Sequence, residues 1–274
     1  MKLSLLSLSY RPHFERGAMD MNVFLDECQR LGVDGADLHE TAFASVARQD
    51  LFGVKRGCLD RGLDIPCVSI SNNFACPTEE LANDVADTKA WIERAALLGA
   101  PQVRVFSGGP ATEEDREASW ERCADALREC AEFGAGHGVV VSLQNHNHLQ
   151  IAPDGADVIR LMDQVGHSNL GHVLDTGQYA GSPGASGFTD DDLREQHDYL
   201  TSIRLTAPRA TYVRAKLYRI STGVEEWLDY DQIFSTLRRV EYNGWVSLVY
   251  EGQDDALDVI PLGVQFLRRY LLAT

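Results

Sequence analysis

Two periodicities alternate along this chain. Short runs of β-branched and apolar residues, of the kind that pack on both faces of a strand, are separated by longer stretches. In those stretches apolar residues recur at i, i+3, i+4 and i+7, the mark of one helix face. The strand-like runs are residues 3–9, 33–39, 66–70, 102–106, 139–148, 170–175, 212–218 and 245–251. Between the first two, Met21, Phe24, Leu25, Cys28 and Leu31 carry the helical rhythm, with Asp20 as N-cap and Gly32 as the stop. Residues 45–61 carry a weaker helical signal. Thr78 is placed to cap a long helix that runs to Leu98 and closes at Gly99. Thr112 is placed to cap the next, whose apolar stripe is Trp120, Cys123, Ala124, Leu127 and Cys130. A short helix over residues 154–165 follows, then one capped by Thr189, then one marked by Ile233, Phe234, Leu237 and Val240. In the last, marked by Ile260, Val264, Leu267 and Leu271, Pro261 falls in the first turn, where a missing N–H is tolerated.

Strand and helix thus alternate eight times at a spacing of roughly 30 residues, the size of one βα unit. No linker or shift of composition divides the chain. The pattern predicts an α/β fold, a single (β/α)8 barrel over residues 1–274. An open doubly wound sheet is the alternative, but no Gly-rich fingerprint follows the first strand. The GGP at residues 108–110 is neither that fingerprint nor a Walker loop.

Composition narrows the partners. With 44% hydrophobic residues the chain can bury a large core. Its 41 acidic and 25 basic residues leave a net charge of −16, which excludes nucleic acid and an anionic membrane surface as partners. A phosphorylated small molecule stays open, because it needs only a local cationic pocket. Six cysteines, none in a C-x-x-C pair, read as reduced packing residues of a cytoplasmic protein. The N-terminal MKLSLLSLSY is short, broken by serines and without a cleavage site, so it reads as the first strand. No segment approaches a membrane span.

In a (β/α)8 barrel the active site lies at the C-terminal ends of the strands, and polar residues collect there. Residues 139–148, VVVSLQNHNH, show the pattern best: a buried run breaks into Gln144, Asn145, His146, Asn147 and His148. Asp37 and His39 end the second strand, Asn72 and Asn73 follow the third, and Arg104 lies on the fourth. Asp175 and Gln178 belong to the sixth, and Glu251 to the eighth. The seventh places Tyr212, Arg214, Lys216 and Tyr218 on one face and Val213, Ala215 and Leu217 on the other. The aliphatic face suits the helices, which puts Arg214 and Lys216 inside the barrel. Unpaired charge is costly there, and Asp175 and Glu251 are the expected partners. A purely structural ion-pair network and a polar pocket for a hydroxyl-rich ligand both fit this pattern. The Gly- and Ser-rich residues 178–188 are the candidate for a loop that closes over the site.

At these strand ends the chain resembles the xylose-isomerase-like barrels, the sugar phosphate isomerase/epimerase and inosose dehydratase group, with endonuclease IV as a distant relative. The resemblance rests on GVDGADLHE, VRVFSGG, LQNH, LDTGQ, YVRAKLY and YNGWVSLVYEG, in order along nearly the whole chain. It implies a divalent metal (Mn, Mg, Co or Zn) held by Glu, Asp, His and Glu on strands five to eight. Here those positions correspond to Gln144, Asp175, Arg214 and Val249, and the family's second histidine to Gln178. Gln is a weak donor, Val cannot ligate, and a permanently charged Arg repels a cation. The expectation is therefore that no metal cofactor is used. The alternative is a metal relocated one layer outward onto His146, Asp175 and Glu251.

The resemblance implies a small sugar or cyclic polyol as substrate and proton abstraction next to a carbonyl, as in an isomerase, an epimerase or a lyase. His146 and Glu251 are the candidate bases. Lys216 and Arg214 are the candidates to stabilise an enolate oxygen, and Lys216 alternatively to form a Schiff base. Asp175 is expected to orient Arg214 or bind a hydroxyl. His39, Asn72, Arg104, Gln144 and Gln178 are expected to hold others. A catalytically inactive relative that keeps the sugar pocket is the alternative from a different class. Repair of nucleic acid fails on charge and on the missing ligands. A homo-oligomer stays open.

Overall fold

The strand-like runs of the sequence close on themselves. In the computed structural model, which describes residues 1–112, 115–147, 150–184 and 198–272, eight parallel strands form a barrel in the order β1 to β8. They are β1 (Lys2–Leu6), β2 (Gly35–His39), β3 (Val68–Ser69), β4 (Gln102–Phe106), β5 (Val140–Gln144), β6 (Leu170–Asp175), β7 (Ala210–Leu217) and β8 (Trp245–Tyr250). Closure comes from β8 returning to β1, with Lys2 opposite Trp245 and Leu5 opposite Leu248. The predicted (β/α)8 architecture is the one observed.

The helices of the described residues are α1 (Arg11–Glu15), α2 (Met21–Leu31), α3 (Arg48–Asp60), α4 (Thr78–Leu98) and α5 (Arg116–His137). They continue with α6 (Gly155–Val165), α7 (Tyr199–Thr206), α8 (Tyr230–Arg239) and α9 (Ala256–Leu272). Asp20 caps α2 by accepting from the Val23 N–H, and Gly32 ends it in the left-handed region at φ 67°. Three local readings need correction. Thr78 is the first residue of α4 and makes no capping bond, because Pro77 holds the cap position. Thr112 lies three residues before Asp115, the residue that precedes α5. The last helix starts a turn earlier than its apolar stripe indicates, so Pro261 lies inside α9 and removes one ladder bond there. His148, Thr189 and the 185–188 part of the Gly- and Ser-rich stretch lie outside the described residues.

The two faces of the strands meet different neighbours. Outward residues such as Leu5, Leu38, Val103, Val141, Leu174, Val213 and Leu248 are at most 1% exposed and join the helices in one apolar core. One outward position is polar. His172 in β6 donates from Nδ1 to the Leu143 carbonyl (2.8 Å), which fixes its tautomer, and accepts at Nε2 from the Tyr179 hydroxyl (3.0 Å). Burial pulls its pKa down to about 4, so it is neutral in the fold. Many (β/α)8 interiors are filled by branched aliphatic layers. Here Ser4, Asp37, Ser69, Gln102, Ser142, Tyr212, Arg214 and Ser247 are buried side chains of the polar faces, and the apolar part is a small cluster of Cys67, Val173 and Tyr212 with Trp245 beside it. All six cysteines are buried and free. No helix among the described residues is long and apolar enough to cross a membrane.

Candidate active site

The two cations of β7 sit in two layers. In the deeper layer the Arg214 guanidinium reaches across the barrel to Asp37 on β2, donating to Oδ1 (3.1 Å) and Oδ2 (3.0 Å). It also donates to Gln144 Oε1 (2.8 Å) and to Ser69 Oγ. Ser247 and Tyr212 hydroxyls add bonds to Asp37 (2.9 and 3.3 Å). Arg214 and Asp37 are 2% and 0% exposed, so each charge survives burial only because the other opposes it. Burial works against the charged guanidinium, but Asp37 outweighs it and raises the Arg214 pKa. The sequence pointed to Asp175 as the partner of Arg214. The observed partner is Asp37 across the barrel, while the Asp175 carboxylate is taken up by Lys216, the Gln144 amide and the Gly177 N–H.

One layer nearer the mouth, Lys216 Nζ donates to Glu251 Oε1 (2.7 Å) and lies 3.4 Å from Asp175 Oδ2. Its stem passes over Gly177, where a Cβ would meet Lys216 Cγ at 2.5 Å, so the LDTGQ glycine makes room for the lysine. Asp175 is fixed by the Gln144 amide (3.0 Å) and the Gly177 N–H (3.0 Å), while Asn145 bonds to its backbone in both directions. Burial raises the Asp175 pKa against the pull of Lys216. Glu251 follows β8 at the rim, with a side chain 36% exposed. Its partial burial is outweighed by the charge and hydrogen bond of Lys216, with help from His146 and Arg11. Its carboxyl is therefore held below the ordinary range. Gln178 donates to its second oxygen (3.3 Å).

Both layers open into one cavity of about 180 Å³ at the strand ends. It is lined by His39, Arg104, Gln144, His146, Asp175, Gln178, Arg214, Lys216 and Glu251, every predicted site residue except Asn72. Asn72 is instead clamped to the Phe106 backbone, accepting from its N–H (2.8 Å) and donating to its carbonyl (2.9 Å). It faces a neighbouring groove with Asn73 and Gln150, so its part is to hold the end of β4. Five cavity residues escaped the sequence reading: Leu6, Leu8, Arg11, Ser71 and Phe106. Leu8 and Arg11 come from the turn and α1 that follow β1, and Ser71 from the loop after β3, where no periodicity marks a face. Position was the available signal for Arg11, since it follows the first strand at the same barrel end as the other polar tips.

On the β2 and β4 side, His39 Nδ1 pairs with the Thr41 hydroxyl (2.9 Å). Burial, then Arg104, Arg214 and Arg11, pull its pKa down to about 2. Arg104 lies with its guanidinium carbon 4.0 Å from the Phe106 ring centre and donates from Nη1 to the Ile70 carbonyl (2.7 Å). His146 meets the same ring edge-on at 5.2 Å.

The residues present do not fit a divalent metal. At the four positions expected from the resemblance, Asp175 is the one charged donor, Arg214 is tied into the deep network, and Val249 has no donor atom. The outward alternative fails too, because the Lys216 ammonium already lies against both Asp175 and Glu251. Among the described residues no three His, Cys, Asp or Glu side chains form a group that could hold a metal ion.

A family model described as the xylose isomerase-like TIM barrel matches residues 25–270. Among solved structures, D-psicose 3-epimerase from Clostridium cellulolyticum H10 is similar over all of both chains, with a TM-score of 0.78 at 16% identity. A 3-keto-D-glucoside 4-epimerase from E. coli is similar over 98% of each chain (TM-score 0.73, 16% identity). An L-ribulose 3-epimerase is similar over 98% of this chain and 94% of its own (TM-score 0.74, 18% identity). At such identities the likeness establishes the fold. No curated protein matches the chain significantly.

Proposed function

The chain belongs to the xylose isomerase-like TIM barrel family, and from that premise we propose that it is a carbohydrate isomerase or epimerase that moves a proton next to a carbonyl with a lysine where relatives use a metal. The observation that carries this reading is Lys216 Nζ set 2.7 Å from Glu251 and 3.4 Å from Asp175 at the inner wall of the cavity. An ammonium has three donors. Two carboxylates engage it, and a third N–H serves the carbonyl oxygen of a substrate. Glu251, ionised and reachable at the rim, takes the proton from the carbon beside that carbonyl. The C–H electrons move into the C–C bond, the carbonyl π electrons move onto oxygen, and Lys216 stabilises the enolate. Transfer of the adjacent hydroxyl's proton to the enolate oxygen, with return of the carbon proton by Glu251 to the former carbonyl carbon, gives isomerisation. Delivery by His146 to the other face of the same carbon gives epimerisation. Asp175 orients Lys216 rather than Arg214. Loss of a β-hydroxyl from the same enolate would make the protein a lyase.

The epimerase activities of D-psicose, L-ribulose and 3-keto-D-glucoside relatives support a sugar substrate. Six unpaired thiols suit a reducing, cytoplasmic compartment. The test is incubation of the protein with keto-sugars in D2O, followed by NMR with and without EDTA. Deuterium entry next to the carbonyl that resists chelator is the expected result. Exchange abolished by chelator and restored by Mn²⁺ would defeat the metal-free reading. Sugar binding without any exchange would leave a binding protein.

A further inference from the structure

The charges around the cavity do not balance. Arg11, Arg104, Arg214 and Lys216 are four cations of its wall, and the carboxylates set among them are Asp37, Asp175 and Glu251. Arg214 is matched by Asp37, and Lys216 by Asp175 and Glu251. Arg11 is at the exposed rim, where water screens it. Arg104 is different. It is 1% exposed, and no carboxylate among the described residues lies within ion-pair distance. Its Nη1 donates to a neutral carbonyl, and its Nε finds no acceptor. Asp37 and, more weakly, Glu40 act on it from a distance, but Asp37 is bound to Arg214 and Glu40 to the Ser71 N–H at 2.6 Å.

A buried cation without its counter-ion is unfavourable by itself. Burial and the nearby Arg214 pull the Arg104 pKa down to about 9, which leaves it charged at neutral pH. In a chain of net charge −16 carboxylates are abundant, yet none is supplied here. The counter-ion is therefore missing from the fold and available from a ligand. We propose that the substrate is a sugar acid whose carboxylate pairs with Arg104 on the β2–β4 side of the cavity, while its carbonyl meets Lys216 on the β6–β8 side. The proposal rests on the enolisation reading above and adds the substrate class. A carboxylate suits one buried guanidinium held over the Phe106 ring, since a planar anion accepts two parallel N–H bonds and one charge balances one charge. A phosphate ester brings nearly two charges and a bulkier tetrahedral group into a cavity of about 180 Å³.

Two matched series test it by calorimetry: D-glucose, D-glucuronate and D-glucose 6-phosphate, and D-fructose, D-fructuronate and D-fructose 6-phosphate. In at least one series the acid should bind about 10- to 100-fold more tightly than its neutral sugar and more tightly than the phosphate. In R104M the acid and the neutral sugar should bind alike, and R104K should keep part of the preference. The wild-type comparison stands even where a variant does not fold. No preference for the acid in either series, or preference for the phosphate, overturns the proposal. Deuterium exchange on the same samples separates the two readings. Acid preference without exchange keeps the anion site and removes enolisation. Exchange on neutral fructose that matches fructuronate keeps enolisation and removes the anion site.

Discussion

Arg214 and Lys216 are two residues apart on one face of β7, both are 2% exposed, and both are ion-paired. Their surroundings make them different kinds of residue. Arg214 is neutralised and heavily bonded: Asp37, Gln144 and Ser69 all accept from its two Nη atoms, only its Nε lacks an acceptor among the described residues, and Asp37 is further held by Ser247 and Tyr212. Lys216 is paired to a carboxylate at the rim that remains 36% exposed. The deep pair plugs the barrel where other barrels use aliphatic layers, and the outer pair faces the space where a substrate goes. The same strand therefore carries a structural ion pair and a reactive one, separated by about 7 Å of chain.

This contrast can be broken at either layer. The largest effect is expected from Arg214→Met, which strands Asp37 as a buried unpaired charge. Unfolding in urea should show a loss of about 3–5 kcal/mol, and adding Asp37→Leu should recover much of it. A stable single variant would mean that the deep pair is not structural. Glu251→Gln should lower kcat by about 10²–10⁴-fold in the exchange assay, and Lys216→Met by about 10²–10³-fold. Glu251→Gln should change stability by no more than about 1 kcal/mol, since Glu251 itself is at the rim and Asp175 stays beside Lys216. Equal stability losses in Arg214→Met and Glu251→Gln would erase the distinction between the layers.

Acid should separate both pairs from the two buried histidines. His172 and His39 are neutral in the fold, with pKa values lowered to about 4 and about 2 from 6.5. A lowered folded pKa means that the unfolded chain binds the proton first. Stability is therefore full above pH 6.5 and falls as pH drops, by about 1.4 kcal/mol per unit for each histidine. The His172 contribution stops growing near pH 4. Glu251 has a lowered pKa too, so its pairing also loses stability as pH falls, but only from the ordinary carboxylate range downward. Denaturation curves between pH 7 and 4 should lose part of their slope in His172→Gln and keep it in Glu251→Gln. The smallest effect on activity belongs to Asn72→Ala, which should lose about 1–3 kcal/mol of stability from two lost backbone bonds while KM changes little. A large KM change there would return Asn72 to the substrate site.

Much of the site could be read from one dimension. Asp175, Gln144, Lys216 and Glu251 were identifiable because each lies at or just beyond the end of an apolar run, on the inward side of a two-residue period. Arg11 and Ser71 were not, because turns and short helices at the barrel mouth carry no period. Asn72 was misplaced because an asparagine at a strand end looks the same whether it meets a ligand or clamps a backbone.

The sequence by itself determined eight βα units, the direction each strand residue faces, and the replacement of acidic and imidazole ligands by Gln144, Arg214 and Val249. These are local properties: facing is set by the two-residue repeat of extended chain, and ligand capacity by side-chain chemistry. Only the tertiary structure decided who pairs with whom. Asp37 and Arg214 meet across 177 residues of sequence because the barrel closes. Lys216 takes Asp175 and Glu251, and Arg104 is left without a carboxylate. Such pairings depend on strand stagger and side-chain reach across an enclosed space, and neither is written in the period of any one strand.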